Sequence, residues 1–280
     1  MLKGTVRRMR TLRPETMAAV AALRAALPIV LARQGADDVH TKGPRDIVTG
    51  TDLAAQATIE RVLRARHPDC AFVGEEGDHD VPATGRYWLV DPLCGTANYA
   101  AGLPLVALNI ALVEDGQVAA SAVADGASGD LYAAERGRGA WRLSAGQPER
   151  LRASGASGLV SLDPNLAGPD ELRAFGQAFA IRVVAAGRWD VRMLATTLVM
   201  AYVARGRLAA AVYAASGPSV HLAAGLLLAH ESGATVTSER GTDWTLQDSV
   251  YVVAATLELH RELQLMAEAV VTELRRQATP

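Results

Sequence analysis

The chain has 280 residues, half of them apolar, and a formal net charge of −2. This length allows one large domain or two closely packed halves with a substantial core. The near balance of charge, without a basic patch, argues against a nucleic-acid partner. The two cysteines, Cys70 and Cys94, are too few for a disulfide framework and favour a reducing cytoplasm.

Targeting and membrane segments are not expected. The basic stretch from Met1 to Arg13 is not followed by the apolar run of a signal peptide. The longer apolar stretches are rich in alanine, and Arg or Pro interrupts them before the roughly 18 residues needed to cross a bilayer. We therefore expect a soluble, cytoplasmic protein that does not bind membranes.

In the first half, the apolar pattern predicts two helices ahead of a sheet. The first runs from Pro14 to about Arg33, with proline in its favoured first-turn position and a kink at Pro28. Thr51-Asp52 is predicted to cap the second helix, which continues to about Arg66. Short apolar runs then predict a mostly antiparallel sheet. Its strands are expected at 71–73, 88–90, 106–112, 118–123 and within 130–141, with a hairpin turn at Asp115-Gly116.

The second half alternates between strand and helix patterns, which implies helices layered on sheet faces. Small residues at 154–158 suggest a boundary between an N-terminal half, 1–155, and a C-terminal half, 156–280, that completes the active-site cleft. Strands are expected near 159–161, 181–184, 209–213, 235 and 250–254, and helices over 169–179, 191–204, 218–232 and 258–276.

Acidic residues follow two of the predicted buried strands. Glu75 and Glu76 follow the first, and Asp91 follows the second. Open α/β architectures place their sites at the carboxyl ends of strands, so these side chains are expected to converge. Clustered carboxylates repel one another without a cation, and their hard oxygen atoms suit Mg²⁺. If Gly95-Thr96 opens a helix, its backbone N–H groups would also face an anion.

These segments together resemble the signature of the inositol monophosphatase family. They are Asp-x-Val-Thr-x-x-Asp over 46–52, Gly-Glu-Glu over 74–76, and Trp-x-x-Asp-Pro-x-x-Gly-Thr-x-Asn-Tyr over 88–99. A Gly-Arg-Gly-Ala hairpin and a closing Ala-Ala-Thr-Leu-Glu-Leu-His extend the resemblance over roughly Glu15 to Leu265. It implies a layered α/β/α/β/α sandwich, metal-dependent hydrolysis of a small sugar or cyclitol phosphate, and a homodimer.

The resemblance also implies roles for individual residues. Glu75, Asp91 and the Leu93 carbonyl would bind the first Mg²⁺. Asp52 and Thr96 would orient and deprotonate the attacking water, with Glu75 beside them. The N–H groups of Gly95, Thr96 and Ala97 would bind the substrate phosphate, and Glu76 would be an acid next to the site.

Three positions depart from the family pattern. Cys94 and His221 stand where the family has aspartates that bind a second metal. A thiol and a neutral imidazole are poor ligands for Mg²⁺. Ala214 stands where the family often has an acid that contacts the inositol ring, so the resemblance does not imply myo-inositol phosphate itself.

Three interpretations of these departures remain open. The protein could hydrolyse phosphate weakly on the metals that it still holds. Alternatively, Cys94 and His221 could join Glu75 and Asp91 around a softer ion such as Zn²⁺. Finally, the protein could bind a phosphorylated molecule without hydrolysing it or with no metal, or use Cys94 or His221 in different chemistry.

Overall fold

The computed structural model describes residues 12–33, 35, 38–43, 46–77, 80–143, 148–163, 169–215 and 219–278. Their contacts divide them into two compact units. Unit 1 comprises the residues up to Leu151 together with Ala195–Ala201 and Val220–Ser232, and unit 2 comprises Arg152–Leu194, Tyr202–Ser219 and the residues from Gly233 onwards. The two later segments of unit 1 each bring a residue to the candidate site described below.

Unit 1 is built on a seven-stranded sheet. Its strands, in spatial as well as chain order, are β3 (Ala71–Gly74), β4 (Arg86–Cys94), β5 (Ala107–Glu114), β6 (Gln117–Asp125), β7 (Leu131–Glu135), β8 (Gly139–Arg142) and β9 (Glu149–Arg150). The β3–β4 pair is parallel and the later pairs are antiparallel, as the short connections between them require. The prediction of a mostly antiparallel sheet is therefore confirmed.

The other elements of unit 1 are a hairpin and helices. The hairpin pairs β1 (Val39–Gly43) with β2 (Asp46–Thr49), and the helices are α1 (Pro14–Arg33), α2 (Gly50–Arg66), α3 (Thr96–Ala100) and α6 (Ala223–Glu231). Helix α5 (Leu198–Ala204) begins in unit 1, and its residues from Tyr202 onwards belong to unit 2. Helices α1 and α6 both contact β6, and nearly all of that strand is buried. Alanines on one face of β6, Ala120, Ala122 and Ala124, join the apolar residues of α1 in one core.

Helix α1 corrects one expectation about membrane segments. It is 20 residues long and, by length and composition alone, apolar enough to cross a bilayer. The alanines that lie between its Arg and Pro residues keep the stretch apolar overall, so those two residue types do not interrupt it as expected. Ala18, Ala22, Leu23 and Ala26 are nevertheless fully buried against the sheet of unit 1. The apolar character of α1 is thus accounted for by core packing.

Unit 2 contains a mixed five-stranded sheet and two long helices. Its strands are β10 (Leu159–Asp163), β11 (Asp190–Arg192), β12 (Ala210–Ala214), β13 (Thr235–Ser238) and β14 (Val250–Ala254), in the order β11-β10-β12-β14-β13. Helices α4 (Asp170–Ala186) and α7 (Leu257–Ala278) contact each other, and both contribute to the core above the sheet. A short 3₁₀ turn, Gly155–Ser157, precedes β10.

Four local predictions were wrong. The stretch 181–184 is the last part of α4, because Val183 continues the buried face of Phe175 and Phe179 although β-branched residues favour strands. Residues 191–204 form β11, a loop and α5, since β11 pairs with β10 at the edge of the sheet. The expected helix over 218–232 begins only at Ala223. The N-cap of α2 is Thr49 and not Thr51, while Asp52 completes a capping box with Thr49.

Candidate active site

The central loop of the site lies where strand β4 ends and α3 begins. The β4–β5 register shifts between Asp91 and Cys94, so the strand bends around its proline there. Gly95 then has a φ of +96°, and a Cβ at this position would lie 2.7 Å from the Leu105 carbonyl oxygen. Only glycine fits this conformation and this close approach without strain. The turn delivers Thr96 to the start of α3.

Asp52 and Thr96 form a hydrogen-bonded pair. The Thr96 Oγ1 lies 3.1 Å from Asp52 Oδ1 and 3.2 Å from the Leu93 carbonyl oxygen, so its single proton serves one acceptor at a time. Asp52 is buried in the first turn of α2, where its Oδ2 accepts the Thr49 N–H at 2.9 Å and the Thr49 hydroxyl. Burial raises the pKa of Asp52, and the bonds from Thr49 oppose that shift. Capping of the helix thus holds this carboxylate against Thr96.

Glu75 and Asp91 bring two carboxylates together at the ends of the parallel strands β3 and β4. Glu75 donates its backbone N–H to the Val90 carbonyl, which places it beside Asp91. Burial, and then the charge of Asp91, raise the pKa of Glu75 to about 8. Two ionised carboxylates held this close repel each other unless a cation lies between them. Such a pair is therefore typical of a metal site.

His221 lies against both acids. Its Nδ1 is 3.0 Å from Asp91 Oδ2 and 3.7 Å from Glu75 Oε2. Burial disfavours the imidazolium, but hydrogen bonds to Asp91 and Cys94 and the charges of both acids raise the pKa of His221 well above its usual value. The two acids therefore favour the imidazolium form of His221.

Cys94 is partly buried beside His221. Its Sγ accepts the backbone N–H of Thr197 at 3.4 Å. Burial, and then the charge of Asp91, raise the pKa of the Cys94 thiol to about 11, although His221 and Thr197 oppose the shift. Cys94 is therefore a neutral thiol at physiological pH and is not activated as a nucleophile by its surroundings.

Two acidic neighbours, Glu75 and Glu76, share a lysine that the sequence did not single out. Lys42 on β1 places its Nζ 3.1 Å from Glu76 Oε1 and 3.5 Å from Glu75 Oε1. Gln56 on α2 holds the backbone of Glu76, because its Nε2 donates to the Glu76 carbonyl and its Oε1 accepts the Glu76 N–H. Burial raises the pKa of Glu76, and Lys42 limits that shift. Lys42 is one of only two lysines in the chain, which is the one signal that could have identified it.

Asn109 and Thr197 form a second layer that sequence reasoning also missed. Asn109 lies opposite Asp91 across the β4–β5 ladder, and its Nδ2 is 3.5 Å from Asp91 Oδ2 and 2.9 Å from Thr197 Oγ1. Thr197 in turn donates its N–H to Cys94. This layer fixes the orientation of the Asp91 and Cys94 side chains.

The structure thus groups most of the predicted site residues on one edge of unit 1. Glu75, Asp91, Cys94 and His221 form one cluster, while Asp52, Thr96 and the Leu93 carbonyl form a second that shares strand β4. Gly95 and Ala97 flank Thr96 in the first turn of α3, and Ala97 is exposed.

The donor atoms divide into two sets when tested against a metal ion. Glu75, Asp91 and the Leu93 carbonyl offer hard oxygen atoms, which fit the Mg²⁺ that is typical of such sites. The other set joins Asp91 to a thiol and an imidazole at Cys94 and His221, and this combination does not fit Mg²⁺.

The fold closely resembles that of solved inositol monophosphatases. A solved IMPase from Thermotoga maritima superposes with a TM-score of 0.78 and 29% identity, covering 91% of this chain and 96% of that chain. The predicted layered α/β/α/β/α class is thereby confirmed.

The sequence comparisons agree. The profile of the inositol monophosphatase family matches residues 11–275. An inositol-1-monophosphatase from Mesorhizobium japonicum is 36% identical over 230 residues, covering 80% of this chain and 84% of that protein. A histidinol-phosphatase from Mycobacterium tuberculosis is 31% identical over 233 residues, covering 81% and 88%. The chain belongs to the inositol monophosphatase family, as the motifs indicated.

Proposed function

We propose that this protein is a metal-dependent phosphomonoester hydrolase that acts on a small sugar or cyclitol phosphate. The observation that carries the proposal is the Thr96 hydroxyl, which lies within hydrogen-bond distance of both Asp52 and the Leu93 carbonyl. The hydroxyl thus connects Asp52, the buried base, to the Leu93 carbonyl, which is assigned to the metal. This is the arrangement needed to direct a water molecule at the phosphorus atom of the substrate.

Glu75, Asp91 and the Leu93 carbonyl would hold Mg²⁺. When bound, this ion would supply Lewis-acid stabilisation of the phosphoryl oxygens. Asp52, with its raised pKa, accepts a proton through Thr96 and so favours attack by the water that Thr96 orients. Glu75 completes this catalytic group beside Asp91.

Substrate phosphate would be held by the backbone N–H groups of Gly95, Thr96 and Ala97. These groups open helix α3, where peptide dipoles favour an anion. The left-handed turn at Gly95 leaves the backbone open to a close approach by the phosphate, and the exposed Ala97 adds no bulk beside it.

The rest of the substrate is assigned only by class. Ala214 ends strand β12 with a methyl group where the family often has an acid that contacts the inositol ring. The relatives include both an inositol-1-monophosphatase and a histidinol-phosphatase, so both substrates belong in a test panel. We also assign a cytoplasmic location and a homodimer, in keeping with the reduced cysteines and with the family.

A substrate panel tests this function. Purified protein is assayed with myo-inositol 1-phosphate, histidinol phosphate and common sugar phosphates in the presence of Mg²⁺, Mn²⁺ or Zn²⁺. We expect metal-dependent release of phosphate that Glu75→Gln reduces by about a hundredfold or more. The matched control Glu149→Gln removes an exposed carboxylate from the edge strand β9 and should keep full activity.

A second candidate is a protein that binds a phosphorylated molecule without Mg²⁺-dependent hydrolysis, including an enzyme repurposed for specialised metabolism. The thiol and imidazole at Cys94 and His221 favour it, because both replace carboxylates that would bind metal. Silence across the panel, together with thermal stabilisation by one of the same phosphates, would support this second function over hydrolysis.

A further inference from the structure

The Asp91, Cys94 and His221 side chains form a cluster with its own metal chemistry. One ligand atom from each, a carboxylate oxygen, a sulfur and a ring nitrogen, lie within 4.8 Å of one another. Sulfur and imidazole nitrogen are softer donors than the oxygen atoms that Mg²⁺ requires, and together with a carboxylate they are a combination that zinc accepts.

We propose that Asp91, Cys94 and His221 form a zinc site, in which Zn²⁺ takes the place that a second Mg²⁺ would hold. This inference rests on the proposed function, because Asp91 would bind both the Zn²⁺ and the Mg²⁺ that Glu75 and the Leu93 carbonyl hold. The zinc site has three protein ligands and a fourth position that is open to water or to a phosphate oxygen, as catalytic zinc sites do.

The spacing of the three ligand atoms is comparable with that around a zinc ion. Bonds of about 2.0–2.3 Å to oxygen, nitrogen and sulfur place neighbouring ligand atoms roughly 3.3–3.8 Å apart around zinc. The Nδ1 of His221 and the Oδ2 of Asp91 are 3.0 Å apart, so a small side-chain rotation suffices to admit the ion. On binding, Cys94 gives its thiol proton and His221 its ring proton to solvent, and the sulfur becomes a thiolate ligand.

The second layer around the cluster supports a thiolate. The Thr197 N–H already points at the Cys94 sulfur, and the Thr197 hydroxyl is held by Asn109. Asn109 is fully buried, and its Oδ1 has no hydrogen-bond partner among the described residues.

Cobalt substitution tests the proposal without any assay of hydrolysis. The full-length apoprotein is titrated with Co²⁺, and the near-ultraviolet band that reports a sulfur–cobalt bond is recorded. Zn²⁺ is then added in competition. We expect one equivalent of Co²⁺ to produce the band, one equivalent of Zn²⁺ to remove it, and a large excess of Mg²⁺ to leave it unchanged.

Matched cysteine variants assign the band. Cys70 lies in the core of unit 1 and is the only other cysteine of the chain, so Cys70→Ala should keep the band. Cys94→Ser should abolish it and weaken Zn²⁺ binding by about a hundredfold or more. If Cys94→Ser does not fold, the band in the Cys70→Ala protein alone assigns the sulfur.

The outcomes separate this proposal from the proposed function. Absence of the band in the wild-type protein, or equal Zn²⁺ affinity of wild type and Cys94→Ser, overturns the zinc site even if Mg²⁺-dependent hydrolysis is found. If zinc binds as expected but none of the phosphates on the panel is hydrolysed, the zinc site is supported and the proposed phosphatase function is contradicted.

Discussion

The Thr96 hydroxyl lies 3.1 Å from Asp52 Oδ1, which joins the start of α3 to the start of α2. The two residues are 44 positions apart, and Thr49 holds the other carboxylate oxygen. Asp52 therefore has two partners that are both needed for its position. One caps a helix and the other carries the proton path of the proposed reaction, so local folding and chemistry depend on the same side chain.

Removal of the Thr96 hydroxyl should affect catalysis far more than stability. Thr96→Val keeps the shape of the side chain but removes the hydroxyl that donates to Asp52 Oδ1, while the Thr49 hydroxyl still donates to Oδ2. We expect kcat on the best substrate to fall by about a hundredfold or more, with the melting temperature within a few degrees of wild type. Thr272→Val, which removes an exposed helix hydroxyl, is the control and should have wild-type kcat. Equal activity of both variants would contradict the role of Thr96.

Gly95 should be more sensitive to substitution than a glycine in an open turn. Gly95 and Gly116 both have positive φ, at +96° and +79°, so alanine at either position costs about 1–2 kcal/mol in backbone strain. Only at Gly95 would the added Cβ also meet the Leu105 carbonyl, at 2.7 Å, whereas the space around Gly116 is open. We expect Gly95→Ala to melt at a lower temperature than Gly116→Ala and, alone of the two, to lose activity. Similar melting temperatures and activities for the two variants would contradict the role of the close contact at Gly95.

Exchange of the soft ligands for carboxylates should change the metal preference. In a Cys94→Asp, His221→Asp protein, the cluster around Asp91 becomes all-oxygen and more negative, which favours Mg²⁺ and disfavours the metal-free fold. We expect the metal-free double variant to melt below wild type, and saturating Mg²⁺ to raise its melting temperature more than that of wild type. Hydrolysis should also reach half-maximum at a lower Mg²⁺ concentration, by about tenfold or more.

The single variant Cys94→Asp serves as the comparison for this pair. It retains His221, a poor Mg²⁺ ligand that lies against Asp91 and Glu75, and should show a smaller response to Mg²⁺. Identical Mg²⁺ responses in wild type and the double variant would mean that the pocket has diverged beyond these two ligands.

The parts of the site that could be predicted are those with a local signal. Glu75 and Asp91 each come shortly after a buried apolar run, and the carboxyl ends of neighbouring parallel strands meet at one edge of a sheet, so their convergence follows from the pattern alone. The partners that sequence did not reveal are contacts between distant single residues. Thr197 is 103 positions from Cys94, and the chain around it has no motif. Lys42 lies on a short hairpin whose strands the apolar pattern did not indicate.

The errors in the fold have a similar physical origin. Three of the four residues from Ile181 to Val184 are β-branched and apolar, yet only Val183 is buried, while Ile181 and Val184 are exposed at 70% and 57%. Tertiary packing of α4 against α7 decides the helix, and local propensity cannot register a contact with a segment some 80 residues later. The N-cap of α2 was predicted two residues too late, because Thr49 and Thr51 are equally good caps on sequence alone.

His260 should make the stability of the protein depend on pH below neutrality. It is buried in α7 with Nε2 2.9 Å from Thr237 Oγ1, and burial lowers the pKa of its imidazole. Below about pH 6.5, His260 binds a proton in the unfolded chain. In the folded protein it binds that proton only at the lower pH set by its lowered pKa. Stability is therefore complete above that range and falls with decreasing pH, by at most about 1.4 kcal/mol per pH unit for this group.

Thermal unfolding between pH 7.5 and 5.5 measures the effect. His260→Gln keeps a polar side chain near Thr237 but cannot take up a proton, so its melting temperature should fall less over this range than that of wild type. His230→Gln, on an exposed position of α6, should follow the wild-type curve. Since stability at pH 7.5 differs between variants for other reasons, the slope against pH is the quantity that decides. A wild-type slope in the His260→Gln protein would mean that the acid sensitivity arises from other groups.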